Sequence, residues 1–216
     1  LEVAERGVAQ FPHDIELLFE TGEAALDHVR SLARRANSLG PQSREFQELE
    51  VRRRGTAPPK GPSSALASEY DGTAALLSRC FETVLADAPD SVYGWRVRGY
   101  LAESQNHVEE ALKDYRAGGD HFAAGRLLAQ NVRYEEAAEE FRAELTVRPD
   151  NHLALAQLSQ LYVQIDKPAL ARPILDRLLR LYPGDAYAWL DKGRIEQTSG
   201  DWQQAAASFK KAVELD

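Results

Sequence analysis

The sequence predicts an all-α protein built of stacked helix-turn-helix hairpins, and three observations carry that prediction. Apolar residues recur at spacings of three and four along most of the chain, the period of an amphipathic helix. No segment alternates apolar and polar residues for long enough to compete as a strand. A comb of large and small residues also repeats every 34 positions, as from Gly193 back to Ser159 and Gly125. A period of this length decides the fold, because each unit is too small to bury its own apolar face and must stack on its neighbours.

The clearest teeth of the comb are Trp189, Gly193, Ala205, Phe209 and Ala212. One step back gives Leu155, Ser159, Ala171, Leu175 and Leu178; a second gives His121, Gly125, Ala137, Phe141 and Glu144. Pro149 and Pro183 keep the same register. A shorter step of 26 reaches Trp95, Gly99, Ala111 and Tyr115, so one unit is trimmed by eight residues near Gly118 and Gly119. Each unit reads as two helices of about 12 residues separated by a polar turn such as Ser199 to Asp201. Gly193 and Ala205 are small where the paired helices approach, and Trp189 and Phe209 fill the space beside them. Pro149 and Pro183 stop the second helix, and Asp150, Asn151 and Asp185 offer N-caps for the next.

In this order the teeth resemble the tetratricopeptide repeat: an aromatic, a small residue, Ala, an aromatic, Ala and a closing Pro. The resemblance covers Val92 to Asp216, with units at 92–117, 118–151, 152–185 and 186–216. Leu155 and His121 depart from the pattern in the tryptophan slot, Ser159 in the glycine slot and Glu144 in the last alanine slot, all ordinary degeneracy in the family. The family implies a right-handed α-solenoid whose first helices line a concave binding face. It also implies an adaptor or scaffold for a protein or peptide, with neither catalysis nor a cofactor.

Residues 1–89 are less regular and read as an N-terminal helical part holding a split repeat. From Pro12 the comb predicts Leu18 and Gly22 in a helix that starts near Asp14 and runs to about Ala36. Counting back from Pro89 puts the partner helix at Leu77, Phe81 and Val84. An inserted loop near 38–70 separates the two. It holds a short helix candidate at Glu45, the arginine run Arg52 to Arg54, and a Pro/Gly/Ser stretch that makes 40–63 the segment expected to be most mobile. The arginines read as a solvated loop or as a docking point for an acidic partner or phosphate. Leu1 to Phe11 resemble the closing helix of an earlier unit, and with no Met anywhere the chain reads as a fragment or processed product. The last hairpin lacks a polar lid, which predicts a continuing chain or self-association through that uncapped end.

A formal charge of -8 argues against general nucleic-acid or anionic-membrane binding. Apolar runs of a few residues fall far short of the roughly 18 that a membrane helix needs. The expected compartment is cytoplasmic rather than secreted or periplasmic, and the single Cys80 reads as core. The five histidines, His13, His28, His107, His121 and His152, lack metal-ligand spacing. Neither a phosphate-cradling glycine loop nor a serine elbow occurs. Glu135, Glu136, Glu139 and Glu140 read as the solvated outer face of a second helix rather than as catalytic acids.

The family's concave positions, carried onto this sequence, are Tyr93, Arg96 and Tyr100; Phe122, Arg126 and Gln130; Gln157, Gln160 and Gln164; and Tyr187, Asp191 and Arg194. Three arginines for carboxylates and three tyrosines for contact area predict a groove for an extended, acidic peptide. The lysine and asparagine clamp of the chaperone-tail subclass is missing. The alternative is a non-catalytic repeat region of a larger enzyme or assembly component whose active domain lies elsewhere.

Overall fold

A computed structural model describes residues 2–54 and 63–215. Residues 55–62, part of the 40–63 segment expected to be most mobile, lie outside the described residues. Those described form twelve helices and no strand. They are α1 (Glu2–Gln10), α2 (Ile15–Ser38), α3 (Arg44–Arg53), α4 (Ala65–Asp87), α5 (Val92–Ser104) and α6 (Val108–Ala117). The rest are α7 (His121–Gln130), α8 (Tyr134–Val147), α9 (His152–Gln164), α10 (Pro168–Leu181), α11 (Ala186–Thr198) and α12 (Trp202–Leu215). The chain divides into two compact units, Leu1–Val97 and Arg98–Asp216, with the boundary inside α5.

In the N-terminal unit α2 packs along α4. Asp14 caps α2 by accepting the Leu17 amide at 3.0 Å, and the helix buries Leu18, Phe19, Ala25, Leu32 and Ala36. Cys80 is fully buried on α4. A Cβ added to Gly22 would stand 2.4 Å from Phe81, so the two helices meet where only glycine fits. The segment between them holds α3, whose Leu49 joins Leu32, Ala36, Leu66 and Ala67 in a second small core.

Polar groups fasten α3 in place. Glu48 is only 3% exposed; it accepts the Ser64 amide and hydroxyl, each at 2.8 Å, and Arg44 Nε at 2.6 Å. The Ser64 amide above all, then its hydroxyl and Arg44, hold the Glu48 carboxyl down at about 2. The arginine run turns out to be neither solvated loop nor open docking point at Arg52. That side chain is 8% exposed and clamps α4 by donating Nε to both Asp71 oxygens at 2.8 and 2.9 Å and Nη2 to Ser63. Arg53 and Arg54 pair with Glu50.

In the C-terminal unit, helices α6 to α12 each pack on the next, and the first helices also touch, α7 on α9 and α9 on α11. One core runs through the stack from Ala102 to Ile195. Added Cβ atoms would come within 2.5 Å of Tyr115 at Gly99, 2.8 Å of Phe141 at Gly125 and 2.5 Å of Phe209 at Gly193. Ser159, in the same slot, is 1% exposed and satisfies its hydroxyl on the Ala156 carbonyl.

Two glutamates are buried, and one of them departs from its sequence reading. Glu140 is not on a solvated outer face: it is 8% exposed, accepting Arg116 Nε at 2.6 Å, with His121 Nδ1 at 2.8 Å. Glu144, in the alanine slot, is fully buried and accepts Arg148 and Asn151, closing the end of α8. Burial pulls its pKa up, but those bonds outweigh it and the carboxyl stays below its ordinary range.

The hairpin tips share one turn. Asn106, Val132, Asp166 and Gly200 all take positive φ, at 62°, 63°, 53° and 82°. At each, the next amide reaches back to close the helix end, as His107 to Ala102 at 2.9 Å and Arg133 to Leu128 at 3.0 Å. Glycine and asparagine suit that backbone, whereas a β-branched residue does not. Val132 is 68% exposed, so little burial offsets its strain. Val132→Gly is therefore expected to stabilise the C-terminal unit by about 1 kcal/mol, read as a raised urea midpoint. In the N-terminal unit, Glu48→Gln should cost about 1–3 kcal/mol at pH 6. Because the folded pKa is depressed from 4.5, the stabilisation is full above that value and fades as pH falls through about 2. The gap between wild type and variant should close over that window, measured by urea unfolding at several pH values.

Candidate functional site

The first helices carry the candidate positions, and consecutive ones build two cavities in the C-terminal unit. The larger, about 430 Å³, is lined by Phe122, Arg126, Ala129 and Gln130 of α7, Tyr134 of α8, and Gln157, Gln160, Leu161 and Gln164 of α9. Gln157, Gln160 and Gln164 are spaced three and four apart and so share one helix face. The second, about 240 Å³, lies against α9 and α11 and includes Ser159, Gln160, Asp185, Tyr187, Asp191 and Arg194. Gln160 borders both cavities. Six of the sequence-predicted residues thus line the larger cavity, and Tyr187, Asp191 and Arg194 line the smaller with Gln160.

Packing fixes the floor of the larger cavity. Phe122 leans on Phe141 with ring centroids 5.8 Å apart, and Phe141 is fully buried against Gly125. At its far end Gln164 Nε2 donates to the Tyr134 hydroxyl at 2.7 Å. Arg126 Nη2 donates to both oxygens of Glu103, at 2.8 and 2.7 Å. Glu103 also accepts the Tyr115 hydroxyl at 2.5 Å, and Tyr115 meets Tyr100 edge to face. Burial pushes the Tyr115 hydroxyl pKa up, and Glu103 pushes it further. Burial pulls the Arg126 guanidinium pKa down, but Glu103 reverses this and leaves it raised.

Across the smaller cavity the charges also pair. Asp191 is 7% exposed and accepts Arg194 Nη1 at 3.1 Å; burial raises its carboxyl pKa, with Arg194 opposing. Asp185 caps α11 on the Ala188 amide and pairs with His152 at 2.8 Å. Tyr187 stands 78% exposed. In the N-terminal unit, Tyr93 packs on Phe19 at 5.1 Å, and Arg96 lies over the same ring while donating to Glu23 at 3.1 Å. Burial and then the Glu16 carboxylate raise the Tyr93 pKa.

Each of the three arginines is therefore met by a carboxylate of its own chain, which reading the concave positions alone did not reveal. Glu103, Tyr134 and Asp185 were not among the predicted residues. Asp185 carried a signal as an N-cap candidate, whereas Glu103 and Tyr134 lie outside the concave positions of the repeat. Among the described residues, no cluster of three or more His, Cys, Asp or Glu is placed to hold a metal, and no helix is long and apolar enough to cross a membrane.

Comparison with known proteins agrees with this architecture. Residues 158–216 match the family model of the tetratricopeptide repeat. Protein NPGR1 of Arabidopsis thaliana is 27% identical over 153 residues, 69% of this chain and 22% of its own length, so the chain spans about a fifth of that relative. Among solved structures, MamA superposes with a TM-score of 0.57 at 15% identity, covering 72% of this chain and 95% of its own. YrrB, a TPR protein with an unusual peptide-binding site, gives 0.55 at 23% identity over 63% and 74% of the two chains. PilF of Pseudomonas aeruginosa gives 0.57 at 17% identity over 68% and 70%. At these identities the structural likeness speaks for the fold, and the match over 158–216 speaks for the repeat. Residues 158–216 thus carry the tetratricopeptide repeat, and the chain has the fold of solved tetratricopeptide repeat structures.

Proposed function

We propose that the chain is a non-catalytic adaptor or scaffold that holds an extended segment of a partner protein in the groove formed by α7, α9 and α11. One observation carries the reading: amides and aromatics from consecutive first helices line two adjoining cavities that share Gln160. Each glutamine offers both a donor and an acceptor, the combination that pairs with peptide main chain. Phe122, Tyr134 and Tyr187 supply rigid contact area. The repeat fold itself implies protein or peptide partners, and the peptide-binding site named for YrrB adds an analogy.

Acidic side chains on the ligand belong to this reading. Arg126 spends Nη2 on Glu103, leaving Nε and Nη1 as the donors that a ligand carboxylate would take. The pair is already balanced in charge, so the gain from an acidic ligand is modest. Tyr100 and, in the N-terminal unit, Tyr93 and Arg96 are proposed as contact residues of the same kind. The organisation we propose is four repeats at 92–117, 118–151, 152–185 and 186–216, with a further repeat made of α2 and α4 and split by the segment that holds α3. Self-association through the α11–α12 hairpin is part of the reading. A second reading, one repeat region within a larger polypeptide, draws on the 22% of NPGR1 that the match occupies.

The test is a peptide-array screen at physiological salt, repeated with Gln157, Gln160 and Gln164 all changed to Ala. Three lost hydrogen bonds at about 0.5–1.5 kcal/mol each should weaken bound peptides at least tenfold. Arg126→Ala should weaken acidic peptides selectively, by less than tenfold. An unchanged profile in the triple variant would move the binding surface off this groove.

A further inference from the structure

The smaller cavity differs in charge from the larger. Two carboxylates line it, Asp185 and Asp191, each with its side chain only 10% exposed, and they share it with a single arginine, Arg194, whose side chain is 55% exposed. Asp185 is engaged at both oxygens, by the Ala188 amide at 3.0 Å and by His152 Nε2 at 2.8 Å. Asp191 is engaged at one: Arg194 Nη1 donates to its Oδ1 at 3.1 Å, and Oδ2 has no hydrogen-bond partner among the described residues. Burial raises the Asp191 pKa more than Arg194 lowers it, and Asp185 raises it further, so the charge is under-compensated. The repeat does not require an acid at this place, since the same position one unit earlier is the half-buried Gln157.

We propose that this cavity takes a lysine or arginine side chain of the partner segment, with its cationic head on Asp191 Oδ2. The inference rests on the groove reading above and adds a side chain that the segment must carry. The cavity, about 240 Å³, is divided as such a side chain is divided. Ala156, Leu178 and Ala188 give it apolar wall that suits the aliphatic stem, and the carboxylates supply charge for the head. Tyr187, four residues before Asp191 on the same helix face, adds an exposed ring for the same cation. Arg194 is a weak rival: a pair three residues apart on one helix, with the arginine half in solvent, is loosely held, so an incoming cation can share or take the carboxylate. An acidic side chain would instead meet Asp185 and Asp191 as like charges.

A positional-scanning array tests the inference, using acetylated and amidated nonapeptide mixtures in which each position in turn is fixed as Lys, Arg, Leu or Glu, probed at physiological salt. The expected result is selection of Lys or Arg over Leu and Glu at one position. Asp191→Asn should cut that selectivity at least tenfold, the loss of one charge-assisted bond. Arg194→Ala, which removes the competing cation, should raise it, and Tyr187→Ala should lower it about two- to fivefold. Opposite effects at Asp191 and Arg194 mark recognition, because a purely structural pair would weaken every peptide in both variants alike. Circular dichroism checks folding, and the variants at the exposed Arg194 and Tyr187 decide the matter if Asp191→Asn does not fold. Bound peptides with no basic position, or a basic preference that these variants leave untouched, would overturn this inference and leave the groove reading standing. A wild type that binds no peptide would overturn both.

Discussion

The helix pairing depends in most places on a missing side chain. In four helix pairs one helix supplies a glycine and the other an aromatic ring where they come closest: Gly22 with Phe81, Gly99 with Tyr115, Gly125 with Phe141, Gly193 with Phe209; in α9–α10 Ser159 and Leu175 take the two places. Any Cβ at those glycines would intrude to between 2.4 and 2.8 Å of the ring. Interiors are packed too tightly to absorb that without a shift of the ring or the helix. The ring is in turn pinned, most firmly at Tyr115, whose hydroxyl is held by Glu103. With the pair fixed, α7 and α11 each keep another face free to line a cavity, as α9 does with Ser159 in the glycine's place.

This contact was legible because it repeats. A single Gly and Phe sixteen residues apart, such as Gly125 and Phe141, would say little; the same spacing recurring at Gly193 and Phe209 makes chance a poor account. The long α2 was legible for a different reason, since Leu18, Ala25, Leu32 and Ala36 stay on one helical face and are all buried. The buried acids were not. Composition places glutamate outside, and only a paired partner reverses that. For Glu140 the partners come from other helices, so no local pattern announces them. Glu144 differs: its place in the alanine slot marked it as a core position, and Arg148 and Asn151 lie four and seven residues on. Position was the better guide there than residue type.

The same blindness applied to the groove. Three arginines on a concave face suggest surplus positive charge, but charge is a property of neighbourhoods and not of a residue count. Glu103, Asp191 and Glu23 each meet one of them. A half-buried pair such as Arg126–Glu103 is hard to break, because the partner left behind would be an uncompensated charge. The larger cavity is therefore lined mainly by glutamine and aromatic side chains beside an arginine whose charge is already balanced.

Strain and site also coincide in sequence. Val132 holds its positive φ at the tip of α7–α8, between Gln130 and Tyr134, both of which line the larger cavity. A backbone of that kind persists only where its surroundings over-determine it. Here they do: the Arg133 amide reaches the Leu128 carbonyl at 3.0 Å, the Asn131 side chain reaches that of Leu127 at 2.8 Å, and the Tyr134 hydroxyl receives Gln164 from α9. The last of these bonds crosses from one hairpin to the next along the rim of the cavity. A turn that relaxed would carry Tyr134 away from Gln164 and open that rim. The strained residue therefore sits two residues from each of two cavity-lining side chains, Gln130 and Tyr134.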